Sequence, residues 1–262
     1  MQPQFDTLAR SLADAWNACS TIPLPPFEAA PRSRADAFEV QDRMAELIGD
    51  RVVGWKVGAA VRAVQILEGH DGPILGRLFA SRLYESPATV PHRFDGYNVE
   101  CEYAFRFDAE APARSQPYTR DELERSIMLH AGIEIASSRF DKQAVARKFT
   151  TYDAIADNGT GGAYVIGPAI ARFRDIDLAA LPIEARIDGG ELIHQYTGEY
   201  RRDPVDILVE TVNAVRERGS GFRAGDVVST GSLTLPTSLR AGQTCVARFG
   251  DVAIVTARMG ER

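Results

Sequence analysis

Cysteine is scarce in this 262-residue chain, which has only Cys19, Cys101 and Cys245, far apart and without a C-x-x-C pair. That count excludes a disulfide framework and a thiolate zinc site, so the three read as reduced, buried thiols. An excess of basic residues is also missing. Thirty Lys and Arg stand against 36 Asp and Glu, a formal net charge of -6, which offers no basic face to a nucleic acid. No apolar run approaches the roughly 20 residues that span a bilayer. The first twenty residues carry Asp6 and Asp14 among spaced apolar positions, without the basic and apolar regions of a signal peptide. The expectation is a cytoplasmic protein with no membrane or nucleic-acid partner.

Several catalytic signatures are lacking too. The glycines of Gly159-Thr160-Gly161-Gly162 precede a strand-like Ala163-Tyr164-Val165-Ile166, whereas a phosphate loop needs a helix N-terminus behind it. His70, His92, His130 and His194 are isolated, with no H-E-x-x-H spacing, and no G-x-S-x-G elbow occurs. These histidines read as surface or structural. Neither a fixed-period repeat nor a low-complexity linker divides the chain.

What is present is a globular composition, 45% hydrophobic and 25% charged, sufficient for a full core. Phe5, Leu8, Leu12, Trp16 and Cys19 form one stripe of an opening helix, which the Pro-rich residues 22–27 stop. A second helix is expected over 34–48, with Ser33 as N-cap and Ala37, Val40, Met44 and Leu47 on one side. These two predict a helical N-terminal subdomain over residues 1–50. From 51 to 262 strand-like runs dominate, interrupted by two expected helices. One spans 119–130, with a Thr119 and Glu122 capping box, and the other spans 203–219, with Asp203 as N-cap and Pro204 at the first position. Strands and helices do not alternate strictly, so the expected class is α+β with a mixed β core.

The chemistry concentrates in carboxylates. In Val99-Glu100-Cys101-Glu102-Tyr103 the period of two places both glutamates on the face opposite Val99, Cys101 and Tyr103. Carboxylates held that close repel unless a cation lies between them, and all-oxygen ligation suits magnesium, manganese or calcium. The plainer alternative is a solvated strand face. Glu134, alone between Ile133 and Ile135, is costly unless it is paired or bound to metal, and its plain partner would be Arg139. Lys56 shares a strand face with Val52 and Gly54; it faces either a ligand or water. Asp157 and Asn158 precede Gly159, and a simple turn accounts for them equally.

Taken in order, Gly54-Trp55-Lys56-Val57-Gly58, Glu100-x-Glu102, Ile133-Glu134-Ile135-Ala136-Ser137-Ser138-Arg139, Ala156-Asp157-Asn158 and Gly225-Asp226-Val227-Val228-Ser229-Thr230-Gly231-Ser232 carry a resemblance. From about residue 51 onward the chain resembles the 2-oxopent-4-enoate hydratase and 4-oxalocrotonate decarboxylase branch of the fumarylacetoacetate hydrolase superfamily. The helical N-terminus is also similar to that of the hydratases. The resemblance implies a mixed β-roll or sandwich core, Mg2+ or Mn2+ on Glu100, Glu102 and Glu134, and a homo-oligomer. One departure is that hydratases often carry Pro-Asp-x-Gly where this chain has Pro73-Ile74-Leu75-Gly76, with Asp71 as a possible substitute.

The activity so implied is hydration of a small 2-hydroxy-2,4-dienoate to a 4-hydroxy-2-oxo acid, as in aromatic catabolism. Lys56 and Asp157 are its expected catalytic residues, Lys56 with a pKa lowered toward neutrality and Asp157 as the base for water. Asn158, Gly231 and Ser232 are expected to bind the substrate, although a plain turn also explains the last two. The alternatives are a decarboxylase of a 2-oxo-3-enedioate, a carbon-carbon hydrolase of acylpyruvates, and a non-enzymatic metal-stabilised or structural domain. The last requires that Glu134 pair with Arg139 and that no cavity open beside Lys56.

Overall fold

A computed structural model describes residues 1–93, 96–141 and 147–261. Its main sheet contains eight strands, numbered along that sheet: β1 (Val52–Gly58), β2 (Ile74–Phe79), β3 (Leu83–Glu85), β4 (Tyr97–Phe107), β5 (Ile127–Ala136), β6 (Gly161–Ala169), β7 (Val227–Ser232) and β8 (Thr237–Leu239). Their spatial order is β2-β1-β7-β4-β5-β6-β3, with β8 pairing the first half of β4. The pairings β1–β7 and β3–β6 are parallel and the rest antiparallel. A second sheet runs Ile183–Ile187, Thr244–Phe249, Ala253–Met259, Ala88–Val90.

The two sheets meet through the face of β4 that the period of two marks as apolar. Val99, Cys101, Tyr103, Phe105 and Phe107 join Cys245, Ala247, Phe249 and Val255 in one core, with the Tyr103 and Phe249 rings 5.6 Å apart. This is the mixed sandwich core expected of the α+β class. Among the described residues no helix is long and apolar enough to cross a membrane. Cys101 and Cys245 are buried as expected, whereas Cys19 is half-exposed.

Three expected helices form at Pro3–Ala18, Arg34–Ile48 and Pro204–Glu217, the second capped by Ser33 accepting from the Asp36 N–H and the third by Asp203 accepting from the Val205 N–H. The fourth is shorter than expected. The Thr119 and Glu122 capping box is present, but the helix it opens ends at Glu124, and Ile127 already begins β5. Leu123, Ile127 and Ala131 fit a period of four, yet Ile127, Leu129, Ala131, Ile133 and Ile135 fit a period of two equally well. Pairing to β4 on one side and β6 on the other decides for the strand. Nearly every β5 residue is therefore buried, as in an interior strand.

The first two helices pack on each other and, through a second cluster, on Ile74, Phe79, Phe140 and Ile155. Gln41 fixes this contact. Its buried Nε2 donates to the carbonyls of Leu75 at 2.8 Å and Ile155 at 2.6 Å, while Arg77 donates to its Oε1 at 2.7 Å. Trp16 stacks on the Arg82 guanidinium at 3.9 Å and on that of Arg139 at 4.9 Å. Replacing Gln41 with Ala leaves two buried carbonyls without their donor and should cost about 1–3 kcal/mol in urea denaturation. An unchanged midpoint would show that the helices are not braced there.

Candidate metal centre and cavity

Antiparallel register sets Glu100 of β4 directly across from Glu134 of β5, and Glu102 across from Gly132. The pleat then points all three glutamates from one face. One oxygen from each lies within 4.8 Å of the other two. This face is not wet. Glu102 is fully buried and Glu134 is 2% exposed, because Val53, Leu78, Tyr164 and Ile166 pack beside Ala104 along the same surface.

Burial and the charge of Glu134 push the Glu100 carboxyl up to about 8 and hold Glu102 well above the usual carboxylate range. Both oxygens of Glu102 and Oε1 of Glu134 meet no hydrogen-bond partner among the described residues. The Ser229 hydroxyl is near enough to favour the ionised form of Glu102 without reaching hydrogen-bond geometry. One oxygen from each of the three glutamates around one point, with both Glu102 oxygens unpartnered among the described residues, makes a hard, all-oxygen donor set, and a divalent cation fits it.

Lys56 enters from β1. Its Nζ stands 3.1 Å from Glu134 Oε1, an ion pair by distance whose angles fall short of a hydrogen bond, with both side chains buried. Burial pulls the lysine pKa down, but Glu134, Glu100 and Glu102 together outweigh it, so the net displacement is upward, opposite to the expected lowering. The lysine stem explains Gly159. A Cβ at that position would lie 3.1 Å from Lys56 Cε, on a backbone at φ +64°.

A cavity of about 890 Å³ opens beside Lys56 and Glu100, with Gly231 and Ser232 on its wall. Its apolar lining includes Val61, Val64, Ile74, Phe140, Phe149 and Ile207. Both requirements of the structural-domain alternative fail, since Glu134 meets Lys56 rather than Arg139 and a cavity is present. Ser232 Oγ donates to the Thr234 carbonyl at 2.6 Å and also favours the charged form of Glu100.

Two expected residues lie elsewhere. Asp157 is fully buried, does not line the cavity, and is the partner of Arg139. Arg139 Nε donates to Oδ1 at 2.5 Å, while the Arg139 N–H at 2.9 Å and the Ser138 hydroxyl at 2.8 Å donate to Oδ2. A carboxylate so occupied cannot take a proton from water in the cavity, which corrects the expected base role. Asn158 likewise does not reach the cavity. Its Oδ1 accepts from the Arg77 N–H at 2.7 Å and its Nδ2 donates to the Arg77 carbonyl at 3.0 Å, so it acts as a one-residue strand partner for β2. Asp71 is exposed, pairs with Arg34 at 2.8 Å, and does not replace a carboxylate at Ile74.

Other residues were not singled out by the sequence. Ser137 lines the cavity, is 3% exposed, and has an unpartnered hydroxyl. It directly follows the strand bearing Glu134, which is the one signal that pointed to it. His70 also lines the cavity, with Nδ1 3.1 Å from Thr151 Oγ1.

The chain matches the model of the fumarylacetoacetate (FAA) hydrolase C-terminal family over residues 80–260. It is 29% identical to a 2-keto-4-pentenoate hydratase of Burkholderia vietnamiensis over 224 residues, covering 85% of this chain and 84% of that protein. A 4-oxalocrotonate decarboxylase of Pseudomonas putida is 25% identical over 237 residues, covering 86% and 84%. In solved structures the fold is similar to that of 4-oxalocrotonate decarboxylase from Pseudomonas putida G7 complexed with magnesium and adipate. The TM-score is 0.84 at 22% identity, over 99% of this chain and 98% of that one.

Two outcomes follow from this geometry. Glu100 is raised from 4.5 to about 8 in the fold, so its contribution to stability is full below about 4.5 and is lost as the pH rises toward about 8. Thermal melts in EDTA should therefore show falling stability across that window, and Glu100→Gln should flatten the slope; an identical slope would place Glu100 away from the cluster. Arg139→Ala strands the buried Asp157 charge and should cost about 3–5 kcal/mol in urea denaturation. A loss below 1 kcal/mol would show the pair to be dispensable.

Proposed function

We propose, from the premise that this chain belongs to the fumarylacetoacetate hydrolase C-terminal family, that it is a divalent-metal-dependent lyase. In this reading it adds water to a 2-hydroxy-2,4-dienoate to give a 4-hydroxy-2-oxo acid. The observation that carries it is the convergence of Glu100, Glu102 and Glu134, with both Glu102 oxygens unpartnered among the described residues, beside a cavity that also holds Lys56. The relatives named as 2-keto-4-pentenoate hydratases support the substrate class.

Glu100, Glu102 and Glu134 would hold the cation, with Mg2+ or Mn2+ as the ions that suit three hard oxygens. When bound, the cation supplies Lewis-acid stabilisation of negative charge on the substrate C2 oxygen. Lys56 carries a proton at Nζ in a desolvated position on the cavity wall, and it serves to orient the substrate carboxylate or to pass a proton to the carbon skeleton. Gly231 and Ser232 line the carboxylate end of the cavity, and Ser137 offers it a free hydroxyl. The C2 enol proton leaves as C5 gains one, giving the α,β-unsaturated 2-oxo acid, and water then adds its hydroxyl at C4 and a hydrogen at C3, so the net change is the addition of one water. Asp157 serves as a brace for the turn that carries Gly159, outside the proton chemistry. A cytoplasmic homo-oligomer with a small 2-oxo acid as its substrate completes this reading.

One observation favours a second reading, decarboxylation of a 2-oxo-3-enedioate. Ile74, where hydratases often have an aspartate, is a buried apolar part of the cavity wall, and Asp157 is locked away. Loss of CO2 needs no activated water. The relatives named as 4-oxalocrotonate decarboxylases are in keeping with this alternative.

The deciding assay incubates the protein and magnesium with a panel of 2-hydroxydienoates and 2-oxo-3-enedioates, following dienol loss and CO2 release separately. The expected result is loss of 2-hydroxypenta-2,4-dienoate without CO2, abolished by EDTA and restored by Mg2+ or Mn2+. CO2 release from the enedioates with inert dienoates would transfer the assignment to the second reading. Full turnover in EDTA would overturn both.

A further inference from the structure

Glu102 is flanked on both sides by polar groups that the chemistry above does not use. On one side is Tyr164 of β6, fully buried, with a hydroxyl that has no hydrogen-bond partner among the described residues. Register pairs Tyr164 with Glu134 and Gly132 with Glu102, so all four positions share one face. The ring leans across β5 at the glycine, since a Cβ added to Gly132 would sit 2.1 Å from the Tyr164 hydroxyl oxygen. Directly opposed residues of an antiparallel pair have Cβ positions about 4.5–5.5 Å apart, so this hydroxyl stands over the position that faces Glu102.

On the other side is Ser229 of β7. It pairs with Ala104, two residues from Glu102 on the same face, and it too is fully buried, with a hydroxyl unpartnered among the described residues. A buried hydroxyl without a partner costs about 1–3 kcal/mol. Two of them beside a buried carboxylate with two unpartnered oxygens are complementary in number and kind, because each hydroxyl has one donor and the carboxylate has lone pairs to spare. Packing alone gives the phenolic oxygen no task, as phenylalanine would fill the same apolar cluster. Gly132 weakens an interior strand, and the space it leaves is taken by that oxygen.

We infer that Tyr164 and Ser229 are positioning residues whose hydroxyls, unpaired among the described residues of the metal-free fold, would donate to the Glu102 carboxylate when Glu100, Glu102 and Glu134 hold a cation, fixing its orientation so that its remaining lone pairs face that ion. This rests on the assignment of Glu102 as a metal ligand. Outer partners of this kind set metal affinity, and losing one typically weakens binding 10- to 100-fold.

The test is calorimetric titration of Mn2+ into the metal-stripped full-length protein without substrate, comparing wild type with Tyr164→Phe, Ser229→Ala and Glu102→Gln. Tyr164→Phe and Ser229→Ala should each weaken Mn2+ binding by about 10-fold or more. Their metal-free melting temperatures should equal or exceed that of wild type, since each variant removes a buried unpaired group. Mn2+ binding within twofold of wild type in both, with Glu102→Gln having lost it, would overturn the positioning role and leave the ligand assignment standing. Wild-type binding in Glu102→Gln as well would overturn both. If Tyr164→Phe does not fold, Ser229→Ala decides by the same criterion.

Discussion

Mutual repulsion among three converging carboxylates, two of them buried and Glu100 half-buried at the cavity, is the constraint around which this structure is arranged. Glu100, Glu102 and Glu134 have oxygens within 4.8 Å of one another on interior strands, and a fold that only needed stability would not gather them. Lys56 supplies one counter-charge, and its ion pair among the described residues is with Glu134. The other two carboxyls are pushed toward protonation. The cluster stays in place because β4 and β5 are gripped on both sides by neighbouring strands and by the Tyr103 and Phe249 core below. Rigidity bought for the sandwich is thus what keeps like charges close enough to share an ion.

The supports of the site are themselves charged and buried. Arg139 joins the end of the Glu134 strand to the turn at Asp157, and Trp16 of the first helix covers its guanidinium. The N-terminal helices therefore bear on the site through Arg139 and through Gln41, without contributing a residue to its chemistry. Arg147 adds a further tie, with its guanidinium on the Asp153 carboxylate and its Nε donating to the Pro25 carbonyl.

How much of this was legible depended on whether the determining contact was local. Alternation put Glu100 and Glu102 on one face, and two flanking isoleucines made the Glu134 charge conspicuous. Their meeting needed the β4 and β5 register, which the ordered motifs implied only through family resemblance. Asp157 was misread because its partner Arg139 lies 18 residues away, in a motif where the arginine had been offered to Glu134. The overlong helix after Thr119 failed for a related reason: residues 123–131 suit either period, and only strand pairing on both sides resolves them. Tyr164 left no trace, and Ser137 only its place directly after the Glu134 strand, since a hydroxyl without a partner is visible only once its surroundings are known.

The clustered glutamates and much of the apolar lining of the cavity come from different parts of the chain. The former lie on two adjacent interior strands, whereas Val61, Val64, Phe149 and Ile207 belong to helices and their approaches. Under the proposed reading, sequence drift can therefore reshape the compartment for a substrate's tail while the strands that would hold the ion stay unaltered. A scaffold divided in this way suits a lineage in which one electrophilic centre is kept and the preferred chain length or terminal group diversifies.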